Sequence, residues 1–591
     1  MEDPTMSIKR CGVFVVAGVV LCSAWLLLAR GDAPGGSVGK TIADFSLPDA
    51  DGKPVALVAG KETKATVVIF VGTECPINNL YMPRLAELHA QFAGKGVRFL
   101  AINANRHDTA KTIADHAKKH ALPFPVLRDE NNIIADRFGA QRTPEAVVLD
   151  AGFKIRYQGR IDDQFGIGYQ RAKPPRDDLA EAIAEVLAGK KVSHPTTPVA
   201  GCKIARVTPA KQDGAVTYAK HVARILQNNC QECHRPGQIG PMPLLTYDQA
   251  SAWADNIREV LEEGRMPPWY ADPKHGKWAN DRSLPPADRK LLLDWIAQGT
   301  PRGDDKDLPP PREFDAGWRI GKPDAVIAMT KEFEVPAQTP KGGVPYQYFS
   351  VETNFTEDKW VERAEAKAGA TAVVHHIIAF VVPPGEKFHP ANPRVGMLCG
   401  TAPGDMPTIL APGMARLVPK GATLVFQMHY TPNGKPAQDR SSVAIIFAKK
   451  PPTHRVESLP VFNYWFKIPP GDADFMVESS HTSKEDSQIV GFMPHMHLRG
   501  KDFLYELQHA DGRKEVLLSV PRYQFSWQSS YRPAEPIAFP KGTKLHCVAH
   551  FDNSAKNFNN PDPTVAVTWG DQTWEEMMIG WTDLAYPIKK D

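Results

Sequence analysis

A chain of 591 residues with 42% hydrophobic and 23% charged side chains is too long for a single core and divides into several domains. Its net charge of +3 excludes a function driven by polyanion attraction and gives no argument for binding nucleic acid. The 53 prolines and 44 glycines call for many turns and linkers, as β-rich domains have.

At the N-terminus, Lys9 and Arg10 precede an uncharged run from Cys11 to Ala29. As a helix it would span about 28 Å, close to the ~30 Å hydrocarbon core of a bilayer. No clean cleavage site follows, and Leu21 before Cys22 makes a poor lipidation signal. Residues 1–37 are therefore expected to be a signal-anchor or signal peptide with a linker. The rest is expected on the periplasmic or extracytoplasmic side, membrane-anchored by residues 11–29. Apart from Cys11 and Cys22 and one C-x-x-C pair, only Cys75, Cys202, Cys399 and Cys547 remain, too scattered for a disulfide scaffold.

Residues 38–195 alternate strand and helix. KATVVIFVGTEC reads as an apolar strand ending at a cysteine. NLYMPRLAELHAQFA reads as a helix with Leu80, Leu85 and Leu88 at helical spacing, and VRFLAINAN as the next strand. A helical HDTAKTIADHAKKHA, then FPVLRD, TPEAVVLD and IRYQGRI complete an α/β pattern. The stretch resembles the thioredoxin-like redoxin and peroxiredoxin superfamily. That resemblance places Cys75 at a strand-to-helix turn and Thr143-Pro144 at the cis-proline position facing it. A helix N-terminus there favours the thiolate, making Cys75 a possible redox thiol. In Cys75-Pro76-Ile77-Asn78, however, Asn78 stands where a second cysteine would be, so exchange within the motif is blocked. Cys202, just beyond the domain, could act as a resolving thiol.

Residues 196–215 read as a linker, and 216–312 as a small all-α domain with a hinge. YAKHVARILQNN places Val222, Ile225 and Leu226 on one helical face and delivers Cys230-Gln231-Glu232-Cys233-His234. This C-x-x-C-H is the c-type haem attachment motif, with His234 as an axial ligand. The segment resembles small cytochromes c, which implies haem c and places the sixth ligand at Met266 rather than Met242. LPPADRKLLLDWIAQG is a last helix closed by Gly299, and LPPPR, residues 308–312, is a hinge.

Short strands prevail thereafter, with breaks that divide the region into 313–450 and 451–591, two all-β sandwich (jelly-roll-like) domains. Four stretches carry metal-binding side chains: His375-His376 in AVVHHIIAFVV, His429 in LVFQMHYTPNG, His495 and His497 in MPHMHLRGK, and Met577 in TWEEMMIGW. On a strand, His495 and His497 leave the same face. Adjacent His375 and His376 need a bulge to reach one ion. Imidazole with thioether suits copper.

The order and wording of these pieces resemble the type II, ascorbate-dependent copper monooxygenases, the family of the peptidylglycine α-hydroxylating and dopamine β-monooxygenases, over residues 318–591. The resemblance implies two copper ions. His375, His376 and His429 would hold the one that transfers electrons, and His495, His497 and Met577 the one that activates oxygen. Met493, Ile579 and Trp581 stand where the peptidylglycine enzyme has Arg, Asn and Tyr for a substrate carboxylate. An apolar wall cannot pair a buried carboxylate, so a peptidylglycine substrate is not expected.

The combination is expected to be an exported copper-dependent monooxygenase that hydroxylates a C–H bond with O2. Electrons would pass from an external donor, ascorbate or a redox protein, through the covalent haem to the copper of His375, His376 and His429. One oxygen atom would enter an unidentified small or peptidic substrate. Two alternatives stand beside it: a non-catalytic redox relay or copper-handling protein, and a thiol peroxidase or disulfide oxidoreductase with the redoxin domain as its active part.

Overall fold

The computed structural model describes residues 37–589, apart from 59, 61, 172, 208–210, 315–316, 338–343, 390–393, 403–405 and 433–434. The expected N-terminal membrane segment lies outside the described residues. Among the described residues no helix is long and apolar enough to cross a membrane.

The first domain is a thioredoxin-like α/β layer structure. A five-stranded sheet runs Val126–Arg128, Val97–Asn103, Ala65–Val71, Glu145–Asp150, Ile155–Gly159. The first three strands are parallel and the last two antiparallel to their neighbours. Ala65–Val71 is buried along its whole length because both faces are covered, which is why its sequence is a continuous apolar run instead of an alternation. The helix Pro76–Phe92 buries Tyr81, Met82, Leu85, Leu88 and Phe92, side chains of the larger kind worth about 1.5–3 kcal/mol each when fully buried. Leu80, expected on that face, points outward and is 41% exposed. Helical spacing admits either Leu80 or its neighbours Tyr81 and Met82 to the inner stripe, and the larger pair takes it.

The stretch 196–215 is not simply a linker. Cys202–Lys203 forms a short strand antiparallel to Arg142–Thr143, and Ile204 is buried in the redoxin core. The first domain therefore extends past its expected end at 195.

Four helical pieces follow: Tyr218–Val222 continuing as Ala223–Asn229, then Tyr247–Ala252, Ala254–Glu262 and Pro286–Ala297. Val222, Ile225 and Leu226 do pack together, against Trp253, Ile257 and Trp295. The last helix is followed by Gly299 at φ 81°, the left-handed position that a helix-ending glycine supplies. LPPPR is docked and does not serve as a free hinge. Arg312 donates to the Gln227 carbonyl and to Glu232, both at 2.8 Å, and Gln227 donates to the Pro310 carbonyl at 3.0 Å.

The remainder is β-rich. One four-stranded sheet, Gln347–Glu352, Thr423–Tyr430, Val374–Val382, Gly396–Thr401, covers a first core. Another, Phe475–Thr482, Lys544–Phe551, Gly500–Gln508, Lys514–Val520, covers a second. Opposite them runs a nine-stranded sheet that crosses the expected boundary near 450. A short parallel pairing, Met414 with His454 and Ala415 with Arg455, joins its two halves. Cys399 and Cys547 lie in the separate cores. The loop after the third helix enters the second core, where Trp269 and Trp278 pack on Tyr531 with ring centres 4.8 and 5.6 Å away.

Candidate functional sites: a thiol pair and two histidine groups

Cys75 is the N-cap of the helix Pro76–Phe92, with proline at the first helical position, where no amide partner is needed. Its thiol donates to the Thr143 carbonyl at 3.0 Å, beside the cis peptide Thr143–Pro144. It also accepts the Cys202 amide at 3.4 Å. Burial pushes the Cys75 thiol up, but hydrogen bonds from the Cys202 side chain and from the Asn78 and Cys202 amides outweigh it and bring it down to about 7. Cys202 is held well above the usual thiol range, by that same hydrogen bond and by burial. The thiolate of the pair therefore sits on Cys75. Asn78, fully buried, spends its amide on Gly72, donating to its carbonyl at 2.8 Å.

The C-x-x-C-H turn follows the helix Ala223–Asn229, with Cys230 at its C-cap. The His234 ring Nδ1 lies 3.1 Å from the Met242 carbonyl. Such a bond to Nδ1 orients an imidazole and leaves Nε2 for an iron. Cys230 and Cys233 are half-buried on this turn and are not paired with one another. The residues present thus fit a covalently attached haem. Met242 is held on the Nδ1 side of the ring by its own backbone. Met266 lies in the turn after Ala254–Glu262, half-buried, with its amide on the Val260 carbonyl at 3.3 Å.

His376 and His429 are cross-strand partners of Val374–Val382 and Thr423–Tyr430, and the register slips between Val374 and His376. This irregularity brings His375 round to the same side, so that ligand atoms of His375, His376 and His429 all lie within 4.8 Å of one another. Burial and the mutual repulsion of the rings push His375 down to about 4 and His429 to about 3, with His376 lower than its ordinary value by a wide margin. All three are neutral at pH 7, the state that binds a metal. Nε2 of His376 is buried with no hydrogen-bond partner. An orphaned buried polar atom costs about 1–3 kcal/mol, and a metal ion at that position would relieve it.

The other histidine pair differs from the expected geometry. The strand Ser487–His495 ends at His495, so His497 lies beyond it, yet the two rings still meet with centres 5.2 Å apart. His495 Nδ1 is 2.7 Å from Gln528 Oε1, and His497 Nδ1 is 3.2 Å from the Glu575 carbonyl. Both leave Nε2 for a ligand. Glu576 is fully buried and accepts the amides of His497 and Arg499 at 2.9 and 2.6 Å. Met577 follows it directly and is buried outside the sandwich core, whereas Met578 packs inside that core. Glu575 and Glu576 therefore brace His497, and Met577 follows them in the chain.

The two histidine groups face one another. Phe525 stacks on His375 with ring centres 4.9 Å apart and meets His497 edge-on at 6.0 Å. A cavity of about 150 Å³ is lined by Met397, Met406, Phe492, Met493 and Trp581, with Arg532 and Asp583 also on its wall. Arg416 also reaches it, but is paired with Asp583 at 2.8 Å. Phe525, Gln528 and Cys202's contact with Cys75 carry no periodic or motif signal. Outside the sites, His546 and His550 pair with Glu478 and Asp502 on the sheet surface.

The AhpC/TSA family profile matches residues 38–164. The chain is 25% identical over 141 residues to the thiol-disulfide oxidoreductase ResA of Halalkalibacterium halodurans, covering 24% of this chain and 78% of that protein. It is 30% identical over 118 residues to the ResA protein of Bacillus thuringiensis subsp. konkukian, covering 20% of this chain and 66% of that one. A hypothetical protein of Sinorhizobium meliloti of known structure is 29% identical, with a TM-score of 0.27, covering 30% of this chain and 100% of its own. This multidomain chain carries a thioredoxin-like redoxin domain of the AhpC/TSA type, followed by large β-rich regions.

Proposed function

We propose that the chain is an oxidoreductase whose redoxin domain performs thiol–disulfide exchange through Cys75. The observation that carries this reading is the thiol at the N-cap of Pro76–Phe92, held to about 7 by hydrogen bonds that oppose its burial. Similarity to thiol-disulfide oxidoreductases over the same domain supports it. Near-neutral thiols combine a useful thiolate fraction with good nucleophilicity. Mixing the full-length protein with an aromatic disulfide that releases a coloured thiol should give a burst. Persistence of an undiminished burst in Cys75→Ser would remove Cys75 from the chemistry.

A second reading rests on the facing histidine groups: a copper-dependent monooxygenase on the extracytoplasmic side. Copper bound there would supply one-electron redox chemistry and activation of O2, and haem c on Cys230 and Cys233 would supply electrons. His375, His376 and His429 offer neutral imidazoles in one cluster. Gln528 and the Glu575 carbonyl hold His495 and His497 with Nε2 outward, and Met577 offers a soft donor. Phe525 packs against His375 and His497, one from each group. Met493 and Trp581 give a cavity of about 150 Å³ an apolar wall that suits a C–H substrate. Metal and haem analysis followed by product detection under O2 tests this. Two bound coppers with no hydroxylated product from a broad panel would favour a relay or copper carrier instead.

A further inference from the structure

We propose that Cys202 is the resolving thiol of Cys75, so that the redoxin domain cycles through a disulfide between residues 127 positions apart in place of a C-x-x-C bridge. The inference rests on the reading of Cys75 as the reactive thiol and adds its partner and the class of its oxidant.

Three independent features hold Cys202 against Cys75. Cys202 is the register partner of Thr143, whose carbonyl accepts the Cys75 thiol at 3.0 Å, and the Cys202 amide reaches the same sulfur at 3.4 Å. Gly201 makes the approach possible. Its φ is 148°, and a Cβ placed on it would lie 2.0 Å from the Thr143 oxygen, so only glycine lets this strand close on the cis-proline turn. The helical domain grips the strand from outside. Asn256 makes two hydrogen bonds to the Lys203 backbone, at 2.8 and 3.2 Å, and Arg142 links the Gly201 carbonyl to Glu259, each at 2.8 Å. Ile204 is buried in the redoxin core, and Cys202 packs against the helical core. Cys202 is thus fixed from both sides, unlike a cysteine on a loose tail, with its amide donating to the Cys75 sulfur.

Cys75 is only 1% exposed beneath this strand, which disfavours a folded protein as its oxidant, and the oxidant proposed is a low-molecular-weight disulfide. The Cys75 thiolate attacks one sulfur of that disulfide, breaking its S–S bond and releasing one thiolate, which takes a proton from solvent. The Cys202 sulfur then attacks Cys75 Sγ, its proton passing to the second departing thiolate. The mixed disulfide breaks and the Cys75–Cys202 bond forms. The external disulfide is reduced by two electrons to two thiols, and the dithiol is oxidised by the same two.

The test is mass spectrometry of non-reduced peptides from the full-length protein equilibrated with glutathione buffers of increasing oxidised fraction, after quenching with an alkylating agent. A cross-linked peptide pair containing Cys75 and Cys202 is expected to appear with a two-electron dependence on the buffer ratio. In Cys202→Ser, Cys75 is expected to accumulate instead as the glutathione mixed disulfide. If wild-type Cys75 becomes glutathionylated with no link to Cys202, the resolving role is overturned while the reactive-thiol reading survives. If Cys75 forms neither bond at any buffer ratio, both are overturned.

Discussion

Arg142 and Glu259 form an ion pair of 2.8 Å between the redoxin domain and the helical domain, with both side chains largely shielded from water. Glu259 also accepts Arg265 at 2.9 Å, so one carboxylate ties the thiol domain to the turn that carries Met266. Breaking a buried pair from one side strands the other charge, at a cost of about 3–5 kcal/mol. Glu259→Ala should therefore lower the unfolding free energy of this seam by that order, and Glu259→Gln by less. Alkylation of Cys75 should accelerate in Glu259→Ala, because the Cys202 strand loses its outer support. Equal denaturation midpoints in wild type and Glu259→Ala would show that the pair does not hold the seam.

The pH dependence of Cys75 follows from its surroundings. With the folded thiol at about 7 against an ordinary 9, its alkylation rate should rise with pH to a half-maximum near 7 and flatten above it. Removing the Cys202 side-chain donor with Cys202→Ala leaves burial less opposed, so the half-maximum should move upward. Iodoacetamide kinetics between pH 5 and 10, followed on the Cys75 peptide, measure both.

Met577 and Met578 should respond differently. Met578 is fully buried in the second sandwich core, so Met578→Ala is a cavity mutation costing about 2–5 kcal/mol. A cleaner control is Met578→Leu, a near volume-conserving change expected to cost less than about 1.5 kcal/mol. Met577→Ala should leave the fold and Cu(II) loading close to wild type and weaken Cu(I) retention, because it removes only the soft donor. Calorimetry alongside Cu(I) competition with a chelator separates the two outcomes.

The buried, unpartnered His376 Nε2 sets stability against metal binding. His376→Leu removes a polar atom that nothing satisfies, so the metal-free protein should be as stable as wild type or slightly more so. If copper binds at the first histidine group, the same variant should lose the thermal stabilisation that added copper gives the wild type and bind one copper fewer. If copper raises the melting temperature of His376→Leu as much as that of wild type, the three histidines do not form the site.

Much of the fold was legible because its signals are local. The continuous apolar run Ala65–Val71 announces a strand covered on both faces, and the 3.6-residue spacing through Leu85 and Leu88 announces the helix behind Cys75. C-x-x-C-H is likewise a property of five consecutive residues. The adjacent pair His375-His376 required an irregular strand, and the register slip is there. Leu80 and the end of the strand at His495 were not legible, because each depends on which neighbour the opposing layer accepts.

The sequence alone determined the residue types, their local elements and the α/β character of the first domain. Tertiary structure alone decided that Cys202 lies on Cys75, that Phe525 stands between His375 and His497, and that Gln528 fixes His495. The physical reason is range. Secondary structure is set by side chains a few positions apart, whereas these contacts join residues tens to more than a hundred positions apart. They exist only after whole layers have packed, and packing leaves no periodic trace in the chain that it brings together.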